Sequence, residues 1–290
     1  NKPPKLPLRI CDLLGKISRF GINLNQLDLC LDIISNSLIQ LEGFSFHINN
    51  YSLDDRIGAI NEILEFVEHK KIKIKFIDIG GGIPTNYCSK EDYNNFLKNN
   101  NKGMYFKKHF INDYYPYYSE VADENALDYI LKNVYKKLND KGIEIIVEPG
   151  RSLLKNVGVS IYEVQYLKQL SNGENILVTN GNINCLSEQW FNSDYLIEPK
   201  LIPKSVRQKK VVFASIAGNL CLEQDMLTWR KIKFYVIPER GDLLVYYNTA
   251  GYQMDSNESE FHKIPLVKKY VVKRNDNKYV VEEDKKYDYK

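Results

Sequence analysis

Near its middle the chain reads Gly142-Ile143-Glu144-Ile145-Ile146-Val147-Glu148-Pro149-Gly150-Arg151-Ser152. The run 142–147 is short and apolar, which is typical of a buried β-strand. We therefore expect Glu148 and Arg151 to follow the carboxyl end of a strand, where barrels and open sheets build their sites. A carboxylate and a guanidinium across a Pro-Gly turn can hold a nitrogen heterocycle and its phosphate. An ordinary surface turn with an incidental ion pair would give the same pattern.

Three consecutive glycines, Gly80, Gly81 and Gly82, follow a second predicted strand at 73–79. Glycine lets the backbone approach a phosphate closely and turn its N–H groups toward the anion. A merely flexible turn explains one or two glycines but leaves the third unexplained, because glycine loses much entropy on folding. The pattern favours phosphate binding.

A histidine, His47, lies near the carboxyl end of a third predicted strand at 43–48, and Asn49 and Asn50 follow it. A lone strand histidine is usually a satisfied core residue. Here it is the third polar group delivered to a strand end in the same half of the chain, which favours a functional role. Its flat ring could stack on a planar cofactor.

Helical patterns alternate with these strands. Apolar spacing predicts helices at 26–41, 53–69 and 123–138, and a further strand is predicted at 7–13. Such alternation implies parallel strands with right-handed crossovers. A barrel is the arrangement in which every strand end faces one site, so residues 1–154 are predicted to form a partial (β/α) barrel.

The second half of the chain changes character after Arg151. Short β-branched and aromatic runs separated by turn signals predict an antiparallel β domain at 155–290. The predicted strands lie at 159–167, 175–178, 210–216, 242–247, 268–272 and 279–280. The fold class is therefore α/β plus all-β, with the boundary near Leu154.

Composition excludes few classes of protein. The 290 residues carry 40 basic and 37 acidic side chains, so no charge excess indicates nucleic-acid binding. No apolar run reaches the length of a membrane span, and the first residues lack a signal-peptide core. Five cysteines, an odd number without close pairing, fit a reducing cytoplasm, and no Cys/His cluster has zinc spacing.

Seven pieces of the sequence together resemble the alanine-racemase-like (fold type III) pyridoxal-phosphate decarboxylases, which include the diaminopimelate, ornithine and arginine enzymes. They occur in the family's order across nearly the whole chain. The pieces are Arg19-Phe20-Gly21-Ile22, Phe46-His47-Ile48, Asp78-Ile79-Gly80-Gly81-Gly82-Ile83-Pro84, Glu148-Pro149-Gly150-Arg151-Ser152, Cys221 with Asp225, Gly241-Asp242-Leu243-Leu244, and Ala250-Gly251-Tyr252. Each piece is weak alone, but seven in register are specific.

The resemblance implies a pyridoxal 5'-phosphate site. His47 would stack on the pyridine ring, and the glycines 80–82 with Gly150 and Arg151 would hold the phosphate. Glu148 would pair with the pyridine nitrogen and keep it protonated, so that the ring accepts electrons when carbon dioxide leaves.

Further contacts are implied from the rest of the chain. Tyr252 would add a phosphate hydrogen bond from the second domain. Cys221 would reach the active site across a homodimer interface and help to deliver a proton. Family members usually carry Gly-Ser where Asn49 and Asn50 stand, and the Asn50 amide could still donate to the phosphate.

The chain also departs from the family. In the family, the lysine that forms the Schiff base with the cofactor lies on an early barrel strand, upstream of every segment recognised here. About four strands are counted in this chain, where a barrel has eight. Half a barrel would expose two strand edges. We therefore expect the sequence to be the C-terminal part of a longer polypeptide. The alternative is a truncated relative that has lost its chemistry.

The sequence is compatible with two hypotheses about substrate and activity. Ser152 places the chain nearer the diaminopimelate branch, whereas Leu222, followed by Glu223, replaces a carboxylate that meets the substrate's distal amine in those enzymes. One hypothesis is a divergent decarboxylase for diaminopimelate-, ornithine- or lysine-like amino acids. The other is a non-catalytic relative that binds a protein partner. The intact motifs at His47, Glu148, Arg151 and Cys221 argue against it.

Overall fold

The chain folds into two structural units, an α/β unit and a β unit. The computed structural model describes residues 4–109, 117–188, 198–254, 260–276 and 278–284. The α/β unit comprises Asn1–Lys98 and Pro116–Val157, and the β unit comprises Asn99–Tyr115 and Gly158–Lys290. The β unit is therefore built from two separate stretches of sequence.

A four-stranded parallel sheet forms the centre of the α/β unit. Its strands are β1 (Lys5–Arg9), β2 (Gln40–Ser45), β3 (Phe76–Asp78) and β4 (Glu144–Ile146). They lie in the order β1-β2-β3-β4, and every neighbouring pair is parallel. The predicted parallel arrangement of four strands is confirmed. Each strand is added at the same edge as in a barrel, whereas a doubly wound sheet reverses its order.

In the described part of the chain, four α-helices lie between these strands in sequence. They are α1 (Leu27–Ser35), α2 (Leu53–Lys70), α3 (Lys90–Asn99) and α4 (Glu124–Asn139). The helices predicted at 53–69 and 123–138 are confirmed as α2 and α4. Both turn an apolar stripe toward the sheet and form one core with it. Members of that core include Phe44, Ile60, Ile63, Ile77, Ile130 and Val134.

Several predicted boundaries in this unit are wrong. The strand predicted at 43–48 runs from Gln40 to Ser45 as β2, so His47 lies beyond its end. The helix predicted at 26–41 ends at Ser35, because Asn36 and Ser37 donate side-chain hydrogen bonds to carbonyls of the last turn. The freed chain then enters β2 at Gln40. The strand predicted at 7–13 runs from Lys5 to Arg9 instead, because the chain beyond it turns into a short 3-10 helix, Leu13–Gly15.

The β unit contains a six-stranded sheet and a separate hairpin. The strands are β5 (Val159–Gln169), β6 (Asn175–Thr179), β7 (Lys200–Ile202), β8 (Val212–Ala217), β9 (Met226–Phe234), β10 (Leu243–Tyr247), β11 (Tyr270–Asn275) and β12 (Lys278–Glu283). The order in the sheet is β7-β10-β5-β6-β8-β9, and β11 pairs with β12. Short 3-10 helices lie in both units. Leu24–Gln26 belongs to the α/β unit, and Lys102–Met104, Phe106–Lys108 and Phe261–Lys263 belong to the β unit.

The predicted antiparallel arrangement is wrong at one pair, because β6 and β8 run parallel. The connection between them is long and passes through β7, which pairs with β10 at the far edge of the sheet. A long crossover of this kind lets the chain return in the same direction, which a short hairpin cannot do. Strands β7 and β9 have no counterpart among the predicted strands.

A segment from far upstream completes the core of the β unit. Tyr105 is 1% exposed and packs with Met226 and Trp229. Its backbone also forms an isolated antiparallel bridge with Arg230. Lys231 donates to the Gly103 carbonyl oxygen at 2.9 Å. These contacts explain why residues 99–115 belong to the β unit although they precede α4 in sequence.

Candidate functional site

The carboxyl ends of β2, β3 and β4 lie side by side in the α/β unit. Ser45 is in register with Asp78, and Asp78 is in register with Ile146. His47 and Glu148 each follow two residues after these strand ends. Parallel strands bring their carboxyl ends to one edge, so the predicted site residues of this unit meet there.

The three glycines form a turn that fits tightly between its neighbours. Gly80 has φ of +67° and Gly82 has φ of +74°, backbone conformations that residues other than glycine rarely adopt. A Cβ atom on Gly80 would lie 2.7 Å from the Phe46 carbonyl oxygen, and one on Gly81 would lie 2.8 Å from the Glu148 carbonyl oxygen. The turn is therefore a cradle of bare backbone at the end of β3.

The N–H groups of this turn differ in what they bind. The Gly80 N–H donates to Asp78 Oδ1 at 2.9 Å. Within the described part of the chain, no group accepts a hydrogen bond from the N–H of Gly81 or Gly82. Two adjacent amides are thus available for an anion, which is the donor set that a phosphate requires. Gly80 contributes the turn's conformation rather than a free donor.

His47 is solvent-exposed, and one edge of its ring lies against the glycine turn. A Cβ atom on Gly80 would lie 3.0 Å from His47 Cδ2, and one on Gly81 would lie 3.7 Å from Nε2. Partial burial lowers the pKa of His47, as do the nearby guanidiniums of Arg9 and Arg56, and Glu148 opposes the effect. The imidazole therefore presents a flat face beside the turn and is harder to protonate than a free histidine.

Glu148 is exposed, but its backbone is held in place. Its N–H donates to the Gly80 carbonyl oxygen at 3.0 Å, which continues the pairing of β3 and β4 into the site. Glu148 forms no salt bridge with Arg151 or with another side chain in the described ranges. The incidental ion pair expected of an ordinary surface turn is therefore not present in the described ranges.

The segment after Glu148 forms a single hydrogen-bonded turn. The N–H groups of Leu153 and Leu154 donate to the Gly150 carbonyl oxygen at 3.1 and 3.3 Å. Tyr87 Oη donates to the Arg151 carbonyl oxygen at 3.5 Å. These bonds fix the backbone from which the half-buried Arg151 extends.

Asn50 lies at the start of α2 and is already engaged there. Its Nδ2 donates to Asp55 Oδ2 at 2.6 Å, and its Oδ1 accepts from the Ser52 N–H at 3.0 Å. The Ser52 side chain in turn accepts from the Asp55 N–H at 3.1 Å and caps the helix. The predicted phosphate contact of Asn50 depends on its second amide hydrogen and stays a prediction.

Two arginines near this edge were not among the predicted site residues. Arg9 ends β1 and lines a cavity of about 730 Å³ together with Phe20, His47 and Asn49. Arg56 is 0% exposed on α2. Both left a signal in the sequence: Arg9 is a cation at a strand end, and Arg56 falls on the helix stripe that also carries Ile60, Ile63 and Val67.

Cys221 and Tyr252 belong to the β unit. Cys221 is exposed in the loop between β8 and β9. Asp225, which is 3% exposed, braces this loop through 2.6 Å hydrogen bonds from the N–H groups of Ile183 and Leu220. Asp225 is thus a structural support beside Cys221. Tyr252 is 47% exposed and has φ of +71°.

The position after Cys221 is apolar, as the sequence indicated. Leu222 is 43% exposed, and Glu223 pairs with Lys107 of the same unit. Among the residues that the structure describes, no three His, Cys, Asp or Glu side chains could together hold a metal ion. None of the described helices is long and apolar enough to cross a membrane.

The sequence was compared with known families and proteins. The profile of "Pyridoxal-dependent decarboxylase, pyridoxal binding domain" matches residues 9–155, half of the chain. The chain is 31% identical over 268 residues to the Sinorhizobium fredii protein y4yA, covering 88% of this chain and 59% of that protein. It is 25% identical over 279 residues to the Aquifex aeolicus diaminopimelate decarboxylase, covering 94% of this chain and 57% of the relative.

Solved structures share the fold at low identity. AQ1208 from Aquifex aeolicus superposes with a TM-score of 0.69 at 22% identity and covers 97% of this chain and 59% of its own. Diaminopimelate decarboxylase from M. jannaschii superposes with a TM-score of 0.68 at 16% identity, covering 97% and 61%. The chain thus spans about three fifths of the length of the proteins it matches. The profile match over half of the chain shows that it belongs to the pyridoxal-dependent decarboxylase family, whose cofactor is pyridoxal 5'-phosphate.

Proposed function

We propose that this protein decarboxylates an amino acid of the diaminopimelate, ornithine or lysine class with pyridoxal 5'-phosphate as cofactor. The observation that carries the proposal is the convergence of His47, the glycine turn and Glu148 at the ends of three adjacent parallel strands. Several relatives are named diaminopimelate decarboxylase, which supports the substrate class. The alternative is a non-catalytic, partner-binding relative.

The residues at this edge fit the cofactor by their chemistry. The free N–H groups of Gly81 and Gly82, with Gly150 and Arg151, would hold the phosphate, and Tyr252 would add a hydrogen bond. His47 would lie against the ring, and the Glu148 carboxylate would hold a proton on the ring nitrogen. When bound, the cofactor supplies an acceptor for the electron pair released as carbon dioxide leaves.

The proposed organisation follows the same residues. Residues 1–154 would be the cofactor-binding part of a barrel, and residues 155–290 its C-terminal β domain. The sequential strand order supports a barrel, as do the outer edges of β1 and β4, which pair with no strand in the ranges described. We further propose a cytoplasmic homodimer with active sites at the interface.

The function is tested by carbon dioxide release from the full-length protein. Labelled diaminopimelate, ornithine, lysine and arginine are supplied in turn with pyridoxal 5'-phosphate. We expect release from one member of this set, and heat-treated protein serves as the control. Tight cofactor binding without release from any of these amino acids would instead support the non-catalytic alternative.

Replacing Cys221 by alanine tests its proposed role in proton delivery. General acid catalysis contributes on the order of 10²–10⁴-fold, so we expect product formation to slow by about 10²-fold or wrong-site protonation to increase. The measurement is the partition between amine and aldehyde products. Cys30→Ala, on α1 of the other unit, is the matched control. An unchanged rate and partition would remove Cys221 from the catalytic residues.

A further inference from the structure

Arg56 joins the start of α2 to the glycine turn. Its Nη1 donates to the Ser52 carbonyl oxygen at 2.9 Å. Its Nη2 donates to the Asn50 carbonyl oxygen at 2.9 Å and to the Gly81 carbonyl oxygen at 2.8 Å. The first two bonds are local, but the third reaches a turn 25 residues away in sequence. A charged side chain that is 0% exposed therefore supports the turn from behind.

The bond to Gly81 fixes the direction of the next amide. The peptide bond between Gly81 and Gly82 is trans, so its C=O and N–H point to opposite sides. Because Arg56 holds the Gly81 oxygen on its own side, the Gly82 N–H points away from the guanidinium. This N–H is one of the two in the turn whose hydrogen bond no group in the described ranges accepts.

The fit between Arg56 and the turn requires glycine at position 82. A Cβ atom there would overlap Arg56 Nη2, and Gly82 also has φ of +74°. The guanidinium and the bare backbone therefore occupy adjoining volumes. A buried cation lies at the C=O edge of a single peptide group, and an anion bound to the Gly82 N–H would lie at its opposite edge. Opposite charges on the two edges of one peptide group attract each other.

A brace for α2 alone would not need this arrangement. Ser52 already caps the helix through its side chain. The local bonds to Asn50 and Ser52 also leave the contact with Gly81 unexplained. Burying a guanidinium is costly unless its charge is used or satisfied. A dianionic ligand at the Gly82 N–H would add to the stabilisation that Arg56 receives from its carbonyl partners and from the nearby Asp55 carboxylate.

We propose that Arg56 is a positioning residue for the cofactor phosphate. It fixes the Gly81–Gly82 peptide so that the Gly82 N–H faces the phosphate, and its buried charge favours the dianion. The inference rests on the proposed cofactor site at this strand edge. Arg56 would thus contribute a positive charge that contacts the glycine turn and not the ligand itself.

The test compares pyridoxal 5'-phosphate with pyridoxal, which lacks the phosphate. Dissociation constants for both are measured by near-ultraviolet absorbance on the full-length protein and on Arg56→Gln and Arg56→Lys. We expect Arg56→Gln to lower the preference for the phosphorylated form at least tenfold while pyridoxal binding changes less than twofold. Arg56→Lys keeps the charge but cannot bridge three carbonyls, so its loss is intermediate. Ser52→Ala is the matched control, because it weakens the same helix start without touching the turn.

Each outcome decides the inference. An unchanged preference in Arg56→Gln, or an equal loss for both ligands, would assign Arg56 a purely structural role. If Arg56→Gln shows no thermal unfolding transition, Arg56→Lys decides: a smaller preference than that of the wild type with unchanged pyridoxal affinity supports the inference, and an unchanged preference or an equal loss for both ligands overturns it. Wild-type protein that prefers the phosphorylated form but releases no carbon dioxide would overturn the proposed activity and leave this inference intact.

Discussion

Replacing Gly81 by alanine is expected to abolish tight cofactor binding. The new Cβ atom would lie 2.8 Å from the Glu148 carbonyl oxygen, which is backbone and cannot rotate away. The turn and the Glu148 backbone are joined by the hydrogen bond from Glu148 N–H to Gly80 oxygen, so both must shift. A misplacement of about 1 Å can cost roughly 10²-fold in catalytic rate, and we expect a phosphate held by the displaced amides to be comparably sensitive. We expect the dissociation constant for pyridoxal 5'-phosphate to rise at least about 10²-fold.

The matched control for this change is Gly142→Ala in the same unit. Gly142 has φ of +65°, and a Cβ atom there would have no neighbour within 4 Å, so alanine is strained but does not collide. That variant should lose about 1–3 kcal/mol of stability and keep its cofactor affinity. Absorbance titration and thermal melts of both variants separate the two effects. Wild-type affinity in Gly81→Ala would show that the glycine turn does not hold the phosphate.

Replacing Glu148 by alanine is expected to stop decarboxylation and leave the fold intact. Glu148 is exposed and forms no salt bridge in the described ranges, so its loss removes little packing. The ring nitrogen would lose the carboxylate that keeps it protonated. Removing one such preorganised electrostatic partner costs on the order of 10²–10³-fold in kcat, and we expect at least that fall.

Two further variants isolate the charge. Glu148→Gln keeps the shape but removes the negative charge and should lose nearly as much activity. Glu144→Gln changes an exposed carboxylate on the same strand, β4, and should retain activity. The measurements are kcat for carbon dioxide release, cofactor absorbance and melting temperature. Undiminished turnover in Glu148→Ala would refute the assignment.

The sequence predicted this edge of the sheet well because its signals are local. His47, Gly80 and Glu148 each follow an apolar run, and parallel strands bring such positions together. The backbone geometry that makes Gly80 and Gly82 necessary also follows from residue type alone. These features needed no knowledge of distant contacts.

Features that depend on distant parts of the chain were not predictable in the same way. The parallel pairing of β6 with β8 results from a connection through β7 at the other edge of the sheet. The end of α1 at Ser35 depended on competing side-chain hydrogen bonds that apolar spacing does not report. Arg56 could have been noticed, because an arginine on an apolar helix stripe needs a partner inside the protein.

The two-part origin of the β unit constrains how it can be inherited. Tyr105 fills its core with Trp229, yet the whole of α4 and β4 lies between these two residues in sequence. A gene fusion or recombination event at a single point near residue 157 would transfer the later strands and leave Tyr105 behind. Exchange of this unit alone between related genes therefore requires more than one crossover, which favours joint descent of residues 99–115 with the strands they complete.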